Sequence, residues 1–187
     1  VAQWMDINRG NRFDYLVSMS ADGTRGNPGA DINTSLIRTV NGQTITLYYD
    51  TKLPRPYDLI YRVQGTQGIY SATLDQIYFE GRSPKSETWE PMDEYYKQYE
   101  HPLWKSWGQK ALAQGGHGGA DWLTLYRLIQ ALRIGAAPDI DVYDAAAWSC
   151  ITELSEKSVA KRSSPMDFPD FTRGRWKTTP PIGILGA

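Results

Sequence analysis

The first half of the chain alternates hydrophobic with polar positions, a pattern that predicts β-strands. In residues 12–20 (RFDYLVSMS), Phe13, Tyr15, Val17 and Met19 alternate with more polar neighbours, which is typical of a half-buried strand. We expect these four side chains to form the apolar side of that strand. The same kind of pattern predicts further strands in residues 32–40, 43–50, 58–64, 68–73 and 74–81.

Short turns separate most of the predicted strands. Asn41-Gly42 is a strong signal for a two-residue hairpin turn in which both residues take positive φ. Residues 65–68 (GTQG) predict a second tight turn, and residues 21–31 (ADGTRGNPGAD) predict a longer loop because Gly, Pro and Asp dominate them. Strands joined by such short turns favour an antiparallel sheet, because parallel neighbours need long crossover connections.

Helical periodicity begins in the second half of the chain. Residues 90–114 are helix-prone, and we expect Pro102 to break or kink the helix because proline lacks a backbone N–H. A clearer helical pattern follows in residues 121–135. One apolar stripe is predicted along this second helix, made of Leu125, Leu128, Ile129 and Leu132.

Capping residues predict where the last two helices begin and end. Asp121 is a candidate N-cap for the first of them and Gly135 a candidate stop. Asp141 and Asp144 resemble a capping box at the start of the last helix. Residues 163–187 are rich in Pro and Gly and are predicted to form an extended surface segment. The apolar side of the last helix is predicted to carry Tyr143, Ala147, Cys150, Ile151 and Leu154.

Strands followed by helices define the α+β class. We expect a single domain over residues 1–187, with an open, mainly antiparallel sheet and helices packed on one of its faces. The other face of the sheet is then solvated, covered by another domain or paired with a second subunit.

Composition and charge exclude several function classes. The 20 basic and 21 acidic residues nearly cancel, so no basic surface indicates a nucleic acid or an anionic membrane as partner. No apolar run is long enough to predict a membrane span. With one cysteine and two histidines 16 positions apart, the chain gives little support for a metal site. The first residues lack the features of a natural start, so we expect a fragment or a processed piece.

One segment, GGHGGAD, carries the clearest chemical signal. His117 lies among four glycines directly before a predicted helix, whose free N–H groups favour an anion or a sugar hydroxyl. We expect the positive end of the helix to keep His117 neutral, so that its imidazole can accept a proton near neutral pH. An alternative without function is that His117 only hydrogen-bonds across a tight helix entry.

A second candidate is the proline-rich segment KLPRPYDLI. Pro54 and Pro56 stiffen the backbone, so Arg55 and Tyr57, each directly after a proline, would be held ready to bind a sugar. An ordinary corner at the entry to a strand is the alternative for this segment. For the tail segment PDFTRGRW (169–176), we expect packing against the domain alone.

Five segments together resemble a known family. Residues 7–20, 51–68, 115–135, 138–159 and 167–176 are similar to the C-terminal domain of the Gfo/Idh/MocA oxidoreductase superfamily. Within it they resemble the glycoside hydrolase family 109 branch, the NAD-dependent α-N-acetylgalactosaminidases. The similar segments occur in the expected order and extend over nearly the whole chain.

This resemblance implies a second domain and a redox route to hydrolysis. The N-terminal half of such proteins is a Rossmann domain that holds NAD, and this chain, which has no G-x-G-x-x-G motif after a strand, begins where the substrate-binding half begins. NAD⁺ would take a hydride from C3 of the sugar, the glycosidic bond would break by elimination, and the hydride would return after water adds. The main acid and base residues are expected upstream of Val1.

The resemblance also implies roles for residues of this chain. His117 and Asp121 fall on the family's Gly-Gly-His-Gly-Gly-x-Asp motif, and His117 is expected to contact the pocket as a hydroxyl ligand or proton relay. Tyr57 matches the substrate tyrosine best, with Tyr48 and Tyr49 as competitors. No residue of this chain is assigned to NAD.

Two alternatives stay open. The longer protein could be an NAD(P)-dependent sugar or cyclitol dehydrogenase that releases its reduced cofactor. The chain could also be a carbohydrate-binding or oligomerisation module without enzymatic activity. The resemblance further implies a homo-oligomer formed through the sheet face, and it leaves both export to the bacterial periplasm and a cytoplasmic location open.

Overall fold

The structure is a computed structural model, and it describes residues 1–21, 32–50 and 53–183. Its strands are β1 (Phe13–Ala21), β2 (Ile32–Thr39), β3 (Thr44–Asp50), β4 (Arg62–Gly65), β5 (Gly68–Ser71), β6 (Gln76–Phe79), β7 (Glu90–Pro91) and β8 (Met166–Asp167). Its α-helices are α1 (Asp93–Tyr99), α2 (Pro102–Gln114), α3 (Ala120–Ile134) and α4 (Val142–Ala160). Short 3₁₀ turns are formed by Ala2–Met5, His117–Gly119 and Arg175–Lys177.

The strands form two antiparallel sheets of four strands each. The first sheet has the order β3-β2-β1-β8 and the second has the order β4-β5-β6-β7. The predicted α+β class and antiparallel pairing are therefore confirmed, and the strands that the sequence placed in one open sheet are divided between two.

The predicted apolar side of β1 is wrong. Leu16 and Ser18 are the buried positions in the middle of the strand, and the Met19 side chain is 68% exposed. The pairing of β1 with β2 is irregular between Phe13 and Tyr15, so an extra residue at this bulge changes which side chains face the core. The buried Ser18 hydroxyl shares a 2.6 Å hydrogen bond with the hydroxyl of Ser35 on β2, so its burial leaves no polar group unpaired.

The hairpin between β2 and β3 is confirmed, but its turn differs from the prediction. Only Gly42 has a positive φ, at 91°, and the N–H of Thr39 donates to the carbonyl of Gln43 across a longer loop. Asn41 contributes its side chain instead, because its amide donates to the carbonyl of Gly10 at 3.1 Å. The second predicted turn joins β4 to β5 as expected. Of the predicted loop over residues 21–31, only the first residue lies within the described part of the chain.

The main core lies between the first sheet and α4. The predicted capping box starts α4: the Asp141 carboxylate accepts from the N–H of Asp144, and the Asp144 carboxylate accepts from the N–H of Asp141. Cys150, Ile151 and Leu154 then pack towards the sheet, as their spacing predicts. The buried centre of this core consists of Ile7, Phe13, Leu16, Ile37, Ala147 and Phe168.

The tail is not the extended surface segment that its composition predicts. β8 pairs with β1, and the Phe168 ring lies 5.0 Å from the Phe13 ring in the core. Further along the chain, the carbonyl of Trp176 accepts from the N–H of Gly10 at 2.6 Å. Packing of residues 169–176 against the domain agrees with the prediction, because the Arg175 guanidinium stacks 4.5 Å from the Tyr143 ring.

A buried ion pair ties the N-terminal segment to α4. The Arg9 guanidinium donates two hydrogen bonds, of 2.9 and 2.8 Å, to the two carboxylate oxygens of Asp144, and the Asn8 amide donates a third, of 3.0 Å. The Asp144 side chain is 1% exposed. Burial raises the pKa of the Asp144 carboxyl, but the hydrogen bonds from Arg9 and Asn8 outweigh it, so the pKa lies below its usual value.

The helix break predicted at Pro102 is confirmed. α1 ends at Tyr99, and α2 starts with Pro102 at its first position, where the missing N–H costs nothing. His101 precedes it as the N-cap, and its Nδ1 accepts from the N–H of Leu103 at 3.1 Å. One of the two histidines therefore has a structural role.

Candidate functional site

The glycine-rich segment forms a turn with an unusual backbone. Gly115, Gly116, His117, Gly118 and Gly119 all have positive φ, at 74°, 72°, 46°, 66° and 89°. Residues with a Cβ rarely adopt such angles, which explains why four of these five positions are glycine. His117 is the exception, and it is held in a strained conformation directly before α3, a feature that occurs often at functional sites.

Asp121 holds His117 in place. The His117 Nδ1 lies 2.9 Å from an Asp121 carboxylate oxygen, and the two side chains are 81% and 57% exposed. A Cβ on Gly116 would lie 2.8 Å from that same oxygen, so the glycine gives the carboxylate room. The prediction that Asp121 is an N-cap is wrong: Gly119 takes that position, and Asp121 lies in the first turn of α3.

The direction that the helix end was expected to give the His117 pKa is also wrong. A hydrogen bond to the Asp121 carboxylate, together with its negative charge, raises the pKa of the His117 imidazole above its usual value. A neighbouring carboxylate thus outweighs the positive end of the helix. With Nδ1 bound to Asp121, Nε2 is the nitrogen left to exchange a proton or bind a hydroxyl group.

Gly119 lets the turn pack against α2. A Cβ on Gly119 would lie 2.8 Å from the backbone carbon of Ala111 and 2.9 Å from the backbone nitrogen of Leu112. We therefore expect Gly119→Ala to lower the free energy of unfolding by about 2–4 kcal/mol, from backbone strain and overpacking together.

Gly118→Ala is the matched control for this prediction. Gly118 also has a positive φ, but nothing lies within 4 Å of its missing Cβ, so we expect a loss of about 1–2 kcal/mol. Urea unfolding of both variants measures the difference. Equal losses in the free energy of unfolding would mean that the close packing of Gly119 against α2 does not contribute to stability.

An aromatic cluster joins α2 to α3 next to the turn. The Trp107 ring lies 5.9 Å from the Trp122 ring and 4.9 Å from the Tyr126 ring, and Trp122 and Tyr126 stack on each other at 5.2 Å. Lys110 lies 5.5 Å from the rings of both Trp107 and Trp122. Sequence reasoning missed this cluster, although the spacing of Trp122 and Tyr126 places them on one side of a helix.

Arg55 and Tyr57 lie in the irregular segment between β3 and β4. The Arg55 guanidinium donates to the carbonyl of Asp58 and lies 3.7 Å from the carboxylate of Asp50. The Tyr57 side chain is 87% exposed, and its competitors Tyr48 and Tyr49 are exposed as well. Among the described residues, no hydrogen bond or ion pair links Arg55 or Tyr57 to the His117–Asp121 pair.

Two features are absent from residues 1–21, 32–50 and 53–183. This part of the chain contains no group of three or more His, Cys, Asp and Glu side chains placed to hold a metal ion. It also contains no helix with the length and hydropathy that a membrane span requires.

Solved structures with the same arrangement of elements define the class of the fold. Levoglucosan dehydrogenase in complex with NADH and levoglucosan matches 84% of this chain with a TM-score of 0.62 at 18% identity, over 45% of its own length. The WlbA dehydrogenase from Bordetella pertussis, in complex with NADH and UDP-GlcNAcA, matches 84% of this chain with a TM-score of 0.52 at 14% identity, over 42% of its length. This chain has the fold of the matched part of these dehydrogenases, in agreement with the predicted resemblance to C-terminal domains of Gfo/Idh/MocA oxidoreductases.

Sequence comparison identifies the family. Residues 27–178 match the family described as "Glycosyl hydrolase 109, C-terminal domain". A glycosyl hydrolase family 109 protein of Solibacter usitatus (strain Ellin6076) is 48% identical over 97% of the chain, and one of Shewanella sp. (strain W3-18-1) is 46% identical over all of it. This chain belongs to glycosyl hydrolase family 109. It spans about half the length of these relatives, 45% in each case.

Proposed function

We propose that this chain is the substrate-binding half of an NAD-dependent glycosidase resembling the α-N-acetylgalactosaminidases. The observation that carries the proposal is the exposed His117–Asp121 pair on the glycine-rich turn before α3. A histidine held by a carboxylate and open to solvent is suited to proton exchange with a sugar hydroxyl. Membership in the family and the fold of NADH-binding dehydrogenases support a carbohydrate as its ligand.

The pair would act through the unbound nitrogen of the imidazole. Asp121 accepts from Nδ1–H and thereby fixes the tautomer and orientation of the ring, so that Nε2 can accept a proton from a hydroxyl group of the sugar. The missing side chains at Gly115, Gly116 and Gly118 would let the sugar approach the backbone closely.

The glycine-rich turn of this chain differs from the turn that binds a dinucleotide in a Rossmann domain. It connects α2 to α3, whereas a Rossmann turn follows a strand, and we assign no NAD-binding residue here. We propose that NAD is bound by the remaining part of the longer protein, where it would supply reversible oxidation of a sugar carbon. The proposed course is transient oxidation at C3 followed by elimination of the aglycone.

A plain sugar dehydrogenase is the second candidate, because two similar structures are described as dehydrogenases with NADH. Incubation of the full-length protein with an aryl α-N-acetylgalactosaminide, and separately with free sugars, distinguishes the two. Cleavage of the glycoside without net build-up of NADH supports the glycosidase, and accumulation of NADH supports the dehydrogenase. Full activity after complete removal of NAD, or carbohydrate binding with no turnover of either kind, would overturn the glycosidase proposal.

Tyr57 is proposed to bind the substrate through its hydroxyl group. In the full-length protein, we expect Tyr57→Phe to raise KM about two- to tenfold with little change in kcat, because one hydrogen bond of about 0.5–1.5 kcal/mol is lost. Steady-state kinetics with the aryl glycoside measure the effect. Tyr48→Phe and Tyr49→Phe are the controls, and an effect confined to one of them would assign the contact to that residue instead.

We further propose that the longer protein is a homo-oligomer that associates through the outer face of the first sheet. Met19, Leu36 and Tyr48 are exposed there, on the side of the strands opposite the buried positions. Leu36→Glu in the full-length protein is expected to reduce the molar mass measured by light scattering. Leu47→Glu is the control, because Leu47 lies on the opposite side of β3, and equal masses for Leu36→Glu and wild type would contradict the proposal.

A further inference from the structure

The apolar stripe predicted on α3 exists, but it faces away from the domain. Leu125, Leu128, Ile129 and Leu132 are 59%, 42%, 52% and 70% exposed. All four lie on one side of the helix, at the spacing that normally places side chains in a core. The stripe contains no charged residue, and contiguous apolar surface of this kind marks an interaction site or an aggregation hazard.

The contacts of α3 within the domain are made by residues outside the stripe. Trp122 and Tyr126 pack against Trp107 on α2, and the Arg127 guanidinium forms two hydrogen bonds of 2.9 Å with the Asp139 carboxylate. The one buried residue of this helix is Ala131. The stripe borders these contacts but is not covered by them, and α3 is already anchored without it.

We infer that the apolar face of α3 is the docking surface for the part of the longer polypeptide that lies outside this chain. The relatives are more than twice as long, since this chain covers 45% of them, and the matched family domain is described as C-terminal. A part of the same polypeptide covers the stripe at any protein concentration, whereas a second copy would leave it exposed at low concentration.

The surface proposed for the rest of the same polypeptide differs from the surface proposed for a second copy of the protein. The outer face of the first sheet offers Met19, Leu36 and Tyr48 to a second copy, and it belongs to elements other than α3. A purely aliphatic face suits a permanent contact, because transient interfaces carry about as much polar area as the rest of a protein surface.

Docking at this face would place the rest of the polypeptide beside the candidate site. Asp121 and Leu125 are four residues apart on α3, so they are neighbours on the helix surface, about 6 Å apart along its axis. The docked part would then form a wall next to the His117–Asp121 pair. Docking itself requires no particular reaction, so it can hold even where the proposed glycosidase activity fails.

Photo-crosslinking of the full-length protein tests this docking. With p-benzoyl-phenylalanine at position 132, we expect irradiation to join α3 to a peptide outside this chain but within the same molecule, as identified by mass spectrometry. The same group at position 156, in place of the exposed Glu156 on α4, is the control and should give no such product. Three results would contradict this docking: a crosslink between isotopically light and heavy copies, a crosslink to another protein, or no crosslink at all.

Hydrogen exchange provides a second measurement that does not depend on crosslinking chemistry. Leu128→Glu combined with Leu132→Glu in the full-length protein is expected to speed amide exchange at least tenfold in a segment outside this chain. Thr152→Glu, which adds a charge to the exposed side of α4 instead, should leave that segment unchanged. Unchanged exchange in the double variant would contradict docking at this face, and failure of that variant to fold leaves the crosslinking result decisive.

Discussion

Replacement of His117 by alanine in the full-length protein is expected to lower kcat by about 10²–10⁴-fold, the usual contribution of a positioned acid or base. The imidazole is 81% exposed and makes its side-chain hydrogen bond only with Asp121 among the described residues, so its removal should leave the fold intact. Turnover of an aryl α-N-acetylgalactosaminide measures the first effect, and circular dichroism with thermal unfolding measures the second. Activity close to that of wild type would refute the role of His117.

Asp121→Asn separates positioning from chemistry at the same site. The carboxylate raises the pKa of His117, so wild type must reach a higher pH before the imidazole becomes neutral and can accept a proton. Replacement by asparagine removes the negative charge, and the acidic limb of the kcat/KM profile should move to lower pH. His117→Gln should abolish that limb. A profile that does not move in Asp121→Asn would mean that another group is responsible for the limb.

Asp144→Ala is expected to lower the free energy of unfolding by about 3–5 kcal/mol, the largest loss for any single substitution considered for this chain. The change leaves the Arg9 guanidinium buried without its partner and removes an acceptor from Asn8. It also removes the carboxylate that accepts from the N–H of Asp141 at the start of α4. Urea unfolding of the full-length protein measures the loss.

Arg127 and Asp139 provide the control for that prediction. Their carboxylate–guanidinium pair has similar hydrogen-bond lengths, of 2.9 Å, but is partly exposed, so Asp139→Ala should cost about 1 kcal/mol or less. Equal losses in the free energy of unfolding for Asp144→Ala and Asp139→Ala would show that burial of the Arg9–Asp144 pair does not increase its contribution to stability.

The same carboxylate gives stability a defined dependence on pH. The folded pKa of Asp144 lies below its unfolded value, so its contribution is fully present above the unfolded pKa. This contribution to stability is lost as the pH falls through the folded pKa, where the Asp144 carboxyl becomes protonated. The acid side of the stability curve should therefore be shallower in Asp144→Asn than in wild type.

Local signals in the sequence were enough to predict much of the fold. The capping box of Asp141 and Asp144, the break before Pro102 and the stop at Gly135 depend on neighbouring residues, and the structure confirms all three. Periodicity likewise located β1 to β6, α3 and α4, whereas β7 and β8 were not predicted.

Predictions that depended on distant parts of the chain were less successful. The bulge after Phe13 has no sequence signal of its own, yet it changes which residues of β1 face the core. Phe168 lies in a segment rich in Pro and Gly, and only its pairing partner β1 gives it a buried position. The α3 stripe was correctly located, but its periodicity could not indicate that the stripe is exposed and not part of this domain's core.

In the candidate site, too, features that depend on neighbouring residues were predicted and features that depend on distant residues were not. His117 and Asp121 are four residues apart around a glycine turn, so a local motif was enough to place them together. The charge of Asp121 raises the pKa of His117, where the helix end alone was expected to lower it, because a carboxylate at hydrogen-bonding distance acts more strongly than a helix end. The position of Arg55 and Tyr57 relative to that pair depends on the path of a long irregular segment, which sequence alone does not determine.

The closure of β1 by β8 has a consequence for biosynthesis. The carbonyl of Phe168 accepts from the Arg12 guanidinium 156 residues earlier in the chain, so both ends are needed before the core is complete. Until residues 166–168 have left the ribosome, one edge of β1 has no pairing partner and the Phe13 ring lacks its contact with Phe168. A nascent chain that lacks β8 therefore has an unpaired strand edge beside exposed aromatic surface. Chaperones bind surfaces of this kind.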